Sequence, residues 1–260
     1  MALGQITGVP ILGYHRLVPV GGVALRDDRF AVHESEFRSQ LQLLQDLKIA
    51  VVSPEDISAG GVSRPSAALT FDDGYSSHYQ IAFRLMAEFG VSGTFFVITS
   101  RVGSGEFLDW TMAGEMARAG MRFGSHAHSH VVLTTLSPER MKEELRVSRE
   151  ILEQRLSCAI RVLAVPYGFC DQRVTDAAWE SGYRIVCTSK PWPATQGQRV
   201  LSRAAITLQT SLGEFRKLVQ NDPALYLRLR ARDCALTIPR QIFVRVKPEL
   251  LGVRTAEGSL

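Results

Sequence analysis

Short apolar runs alternate with amphipathic helical stretches along most of this chain, and that alternation restricts it to folds built on a parallel sheet. Residues 9–14 read as a first strand that ends at His15. Residues 36–47 place Phe37, Leu41, Leu43, Leu44 and Leu47 at helical spacing, and 49–52 form a strand candidate. A strand at 67–71 precedes a helix at 77–89 that ends at Gly90. The dense run at 94–98 is a buried strand, followed by a helix at 111–119 and a short strand leading to His126. Ser137 and Pro138 open a helix that runs to about residue 156. A strand at 162–165, a helix at 171–180 and a strand at 184–188 come next. Residues 189–200 are loop-like, 204–206 add one more strand, and the rest reads as helix and irregular tail.

Seven or eight strand–helix units would close into an α/β barrel. No repeat or linker divides the 260 residues, so the expectation is one barrel over 1–210. A helical, basic extension over 211–260 packs on the same domain. A chain this long buries a core that needs no staples. Cys158, Cys170, Cys187 and Cys234 show no CxxC spacing, which argues against a disulfide framework and a thiolate metal site. The N-terminus lacks a basic segment followed by an apolar one, and no run approaches membrane-spanning length. The expectation is a cytoplasmic protein, with a trimmed mature form left open. Of the net charge of +4, much gathers at Arg228, Arg230, Arg232, Arg240, Arg245 and Lys247. That cluster reads first as a solvated helix face. The sharper reading is peripheral contact with an anionic membrane or a phosphate-bearing carrier lipid. With so few interleaved aromatics, no nucleic-acid partner is expected.

Two segments carry the chemistry. Thr70-Phe71-Asp72-Asp73-Gly74-Tyr75 puts adjacent carboxylates at a strand end. Most Asp pairs are turn residues or helix caps, but a pair held at a buried strand end repels itself unless a cation is present. Ser125-His126-Ala127-His128-Ser129-His130 puts histidines at i, i+2 and i+4. A helical turn would let His126 and His130 chelate one ion; an extended segment would put His128 on the same face. One carboxylate and two imidazoles suit a catalytic divalent metal, with the second carboxylate free as a base. His15 is the best-placed imidazole for a general acid, since His33 falls in a polar loop and His78 on a helix. Pro166-Tyr167-Gly168 is a turn at a strand end whose Tyr167 amide is a candidate oxyanion donor. These residues all fall at C-terminal strand ends, where barrel active sites form.

Together these segments resemble the polysaccharide deacetylase family, carbohydrate esterase family 4, whose domain is the NodB homology domain. TFDDGY at 70–75 is similar to its first motif, which makes Asp72 the base and Asp73 a metal ligand. SHAHSH at 125–130 resembles its second motif, which makes His126 and His130 the other ligands and His128 a non-ligand. VPYG at 165–168 is similar to the third motif, in which the Tyr amide helps bind the oxyanion. The Arg that normally precedes this Pro by two residues is replaced by Ala164, and no histidine follows His130 to fill the family's late acid position. Tyr14-His15 is similar to the N-terminal segment that supplies the acid in the poly-N-acetylglucosamine deacetylase subgroup. Arg203 is the candidate substitute for the missing orienting Arg, and Tyr75, Pro166 and Trp192 are candidate substrate contacts. The resemblance implies a distorted (β/α) barrel of seven or eight units, a divalent metal, Zn²⁺ first, and removal of N-acetyl groups from N-acetylated saccharides in exopolysaccharide or cell-envelope glycan synthesis. The alternatives are a deacetylase of a lipid-linked or small saccharide, and a glycan-binding barrel that has lost catalysis.

Overall fold

The computed structural model describes residues 6–24, 28–62 and 65–246, with side chains to residue 236. The chain opens with β1 (Ile11–Tyr14), β2 (Leu17–Val18) and β3 (Val32–His33), then α1 (Glu34–Asp46), β4 (Ala50–Val51) and α2 (Pro54–Ala59). β5 (Ser66–Phe71) leads through a wide π-helical turn, His78–Phe83, into α3 (Arg84–Glu88). β6 (Thr94–Val97), α4 (Trp110–Arg118), β7 (Arg122–Ser125) and α5 (Pro138–Leu156) come next. β8 (Val162–Ala164), α6 (Gln172–Glu180), β9 (Ile185–Cys187), β10 (Val200–Leu201) and β11 (Ala204–Ala205) complete the sheet. α7 (Leu212–Val219) and α8 (Pro223–Val246) end the described chain.

The sheet order is β10-β9-β8-β7-β6-β5-β1-β11, with every pairing parallel and β4 added beside β5. β10 and β11 are halves of one bent segment. Val200 and Leu201 pair with β9; Ala204 and Ala205 pair with β1. That segment joins both edges of the curled sheet, and its bend is Ser202-Arg203. The barrel is thus distorted where it closes. Val200 belongs to this strand and not to the loop expected before it. β3 places His33 in a strand beside β2, where a loop was expected.

Side-chain alternation along the strands builds two cores. Leu12, Leu69, Phe71, Phe95, Phe123, Leu163 and Val186 pack with helix residues such as Phe37, Leu41, Leu145 and Val174. The opposite parity, Ile11, Ala68, Phe96, Val162, Ala164, Ile185, Cys187 and Leu201, fills the barrel. Toward the C-terminal strand ends that inner parity turns polar, through Thr70, Asp72, His126 and Arg203. Gly124 lies on the inner parity because nothing larger fits. A Cβ there would stand 2.5 Å from Phe96 Cε1 and 2.8 Å from the Val162 carbonyl oxygen.

α7 and the start of α8 join the outer core through Phe215, Leu218, Val219, Leu225 and Tyr226. Among the described residues no helix is long and apolar enough to cross a membrane. Of the basic cluster, Arg228 pairs with Glu214, whereas the Arg240 and Arg245 side chains and all of Lys247 lie outside the described residues. The four cysteines are free.

Candidate functional site

Asp72 and Asp73 leave the end of β5 in opposite roles. Asp72 continues the inner parity and is 4% exposed. Arg203 reaches it from the β10–β11 bend, with Nη1 to Oδ1 at 2.6 Å and Nη2 to Oδ2 at 2.8 Å. This is a two-pronged guanidinium–carboxylate pair inside the barrel mouth. Arg203 is itself held by Thr70 Oγ1 at 3.3 Å and the Thr188 carbonyl at 3.4 Å, and it lies over the Phe96 ring. Burial alone would push the Asp72 carboxyl up. Arg203, aided by His126 and the hydrogen bonds, outweighs burial and holds it well below the usual carboxylate range.

Asp73 turns away from that pair through a left-handed backbone at φ 75°. Its Oδ1 lies 3.6 Å from His126 Nε2 and 3.3 Å from His130 Nε2, and the three candidate ligand atoms lie within 4.8 Å of one another. Burial raises the Asp73 carboxyl and lowers both imidazoles. His126 Nδ1 contacts the Ala164 carbonyl at 2.8 Å, and a carbonyl only accepts, so Nδ1 carries the proton. Its Nε2 lone pair then faces Asp73. Asp73 Oδ1 is buried without a hydrogen bond. One orphaned carboxylate oxygen and two neutral ring nitrogens form a donor set that fits a divalent cation.

His128 lies outside this set: its Nδ1 is 2.9 Å from Thr99 Oγ1. The loop is neither the helical turn nor the extended strand considered from sequence. Ala127 and His130 are both left-handed, at φ 61° and 59°, and this brings His126 and His130 together while turning His128 aside. Such backbone strain in non-glycine residues gathers at functional sites.

His15 lies just after β1 with Nε2 3.9 Å from Asp72 Oδ2, stacked on Phe30 with ring centroids 4.7 Å apart. Its Nδ1 is buried without a partner. The Tyr14 hydroxyl points the other way and donates to Gln40 Oε1 at 2.7 Å, so of the Tyr14-His15 pair His15 alone faces the centre. Tyr167 is left-handed at φ 59°, next to Gly168 at 75°, and its ring lies 4.6 Å from that of His130. Pro166 is buried at the start of that turn. Tyr75 stands on the rim, stacked on Phe107 at 5.2 Å under the Arg16 guanidinium at 4.7 Å. Burial and the neighbouring Asp73 push its phenol up to about 12.

Trp192 is not brought to this centre. It packs against Tyr226 of α8, ring centroids 6.0 Å apart, on a loop that reaches Ala194. Ala194 pairs with Val9 at the end of β1 remote from His15. An apolar pocket under α8, not the barrel mouth, holds this indole, so a substrate contact there is corrected. Sequence reasoning also passed over Thr70, Thr188 and Phe30. Thr70 sits two residues before Asp72 on the inner parity, a signal that could have found it. Thr188 and Phe30 carry no such local signal.

Residues 59–186 match the family profile described as Polysaccharide deacetylase. YxkH of Bacillus subtilis is 26% identical over 220 residues, covering 82% of this chain and 76% of that protein. A poly-beta-1,6-N-acetyl-D-glucosamine N-deacetylase of Staphylococcus epidermidis is 24% identical over 171 residues, covering 59% of this chain and 59% of that protein. The fold superposes on the Streptococcus pyogenes deacetylase PplD, solved with acetate, at a TM-score of 0.75 and 24% identity. That match covers 84% of this chain and 100% of the other. Residues 59–186 thus carry a polysaccharide deacetylase domain, the NodB homology domain of carbohydrate esterase family 4.

Proposed function

We propose that the protein is a metal-dependent N-deacetylase of N-acetylglucosamine-type saccharides, with Asp73, His126 and His130 holding the ion and Asp72 acting as base. The observation that carries this reading is the division of labour at the end of β5. One carboxylate is held ionised by Arg203; its neighbour faces two neutral imidazoles with an oxygen left unpaired. A bound divalent cation, Zn²⁺ first, supplies Lewis acidity there by acidifying water and polarising a carbonyl.

Asp72 takes a proton from the water that attacks the acetamide carbon, and Arg203 fixes the carboxylate plane for that transfer. The Tyr167 amide, at the left-handed turn after β8, donates to the oxygen on which negative charge develops. His15 gives a proton to the amide nitrogen as the carbon–nitrogen bond breaks, leaving acetate and a free amino sugar. Tyr75 and Pro166 border the acetyl and sugar positions. The named activity of the S. epidermidis relative supports a β-1,6-linked N-acetylglucosamine substrate.

The test is acetate release from β-1,6- and β-1,4-linked N-acetylglucosamine oligomers by protein stripped with chelator and reloaded with Zn²⁺. Release that returns with the metal and favours the β-1,6 series supports the reading. Equal release before and after stripping would overturn metal dependence, and preference for the β-1,4 series would overturn the linkage.

A further inference from the structure

The two histidines that face Asp73 are carried by a loop that is costly to form. Ala127 and His130 both occupy the left-handed region, at roughly 1–2 kcal/mol for each residue with a side chain. Something outside the loop must hold it, and α5 does. Glu144 Oε2 accepts the His128 and Ser129 amides at 3.1 and 2.9 Å. Its Oε1 accepts the Ser129 hydroxyl at 2.6 Å. Successive backbone N–H groups wrapped on one carboxylate form an anion-binding nest. One turn further along the same face of α5, Ser148 Oγ lies 2.8 Å from Ser125 Oγ, at the residue before His126. The Ser125 hydroxyl in turn accepts the Ala127 amide at 3.1 Å.

We infer that Glu144 is a positioning residue for the metal centre, setting the spacing of His126 and His130 through the amides between them. The inference rests on the metal reading above. Glu144 touches neither Asp73 nor the imidazoles and takes no part in proton transfer. Without it, the amides of 128 and 129 lose their acceptor and the loop can relax out of its left-handed turns. The imidazole Nε2 atoms then no longer converge. Outer residues of this kind typically change metal affinity about 10–100-fold.

The test measures Zn²⁺ affinity by chelator competition for wild type, Glu144→Ala, Glu144→Gln and, as a control on α5, Glu143→Ala. Hydrogen exchange at the 128 and 129 amides is monitored in the metal-free proteins. Glu144→Ala is expected to bind Zn²⁺ at least ~10-fold more weakly and to exchange those amides faster, with a metal-free unfolding midpoint close to that of Glu143→Ala. Glu144→Gln keeps an oxygen for the amides and is expected to fall between wild type and Glu144→Ala. Unchanged affinity in Glu144→Ala, or a loss matched by Glu143→Ala, would overturn the inference while leaving the metal reading intact. A wild-type protein that binds no Zn²⁺ would overturn the metal reading itself.

Discussion

At the scale of single residues, the centre works by separating two adjacent carboxylates. Asp72 is clasped by the Arg203 guanidinium, whereas among the described residues no lysine or arginine forms a salt bridge with Asp73. Arg203→Lys keeps the charge but loses the fork that grips both oxygens. It is expected to lower kcat/KM about 10–100-fold and leave Zn²⁺ affinity within about twofold, since Arg203 bonds Asp72 and not the ligand set. With a weaker partner the Asp72 carboxyl rises, so the acid limb of the pH–rate profile should move to higher pH. An unshifted limb would separate Arg203 from the base. His15 makes a different demand, because an amine leaves only if protonated. His15→Ala is expected to cut deacetylation of an acetamide about 10²–10⁴-fold. It should slow hydrolysis of an activated phenyl acetate, whose leaving group needs no proton, by far less. Equal losses on both substrates would argue against an acid role.

At the scale of elements, the strands set where each side chain can go. Gly124 on β7 lies beside Phe96, its register partner on the adjacent strand β6, so Gly124→Ala forces a methyl into the space the Phe96 ring fills. We expect a loss of about 3 kcal/mol in urea unfolding. The π-helical turn after β5 buries His78 among Phe71, Tyr75 and Phe95, where its Nε2–H donates to the His15 carbonyl at 2.7 Å. Burial pushes its imidazole down from 6.5 to about 4. Above pH 6.5 both states are neutral and stability is full; between 6.5 and 4 only the unfolded chain takes up the proton. Stability of the metal-free protein should therefore fall by about 3 kcal/mol across that window from this residue, and His78→Gln should flatten the fall. Elements of this kind were largely legible in the sequence. The strands that carry Asp72 and Tyr167 are apolar runs ending in polar residues, a pattern set by burial on both faces, whereas β7 before His126 is the short Arg-Phe-Gly-Ser, legible mainly from its place between a helix and the histidine segment. The β10–β11 bend was not legible. Each half pairs over only two residues, and its role as a closing strand depends on both sheet edges arriving beside it. Arg203 was singled out because an arginine was missing elsewhere, not from any local pattern. The left-handed loop at 126–130 was equally hidden, since Ala127 is not a residue type that favours that region and the modest preference of a single histidine does not announce it. Trp192 misled for a related reason: a loop indole can serve a substrate or plug a core, and only the position of α8 decides.

At the scale of the whole molecule, the barrel is completed by the two helices C-terminal to β11. Phe215 of α7 is fully buried in the same core as Phe37 and Leu41 of α1. Phe215→Ala should cost about 3–5 kcal/mol. Removing the chain from 211 onward should leave a protein that does not fold cooperatively. A cooperative 1–210 fragment would contradict that packing.

The claim on which the rest depends is that the ion and the base are separate parts of one centre, so the measurement to make is acetate release by Asp72→Asn at a metal occupancy matched to wild type. The account predicts a variant that binds Zn²⁺ as wild type does and releases acetate at least ~10³-fold more slowly. Turnover near the wild-type rate at equal occupancy would contradict it, and so would loss of the metal with the substitution.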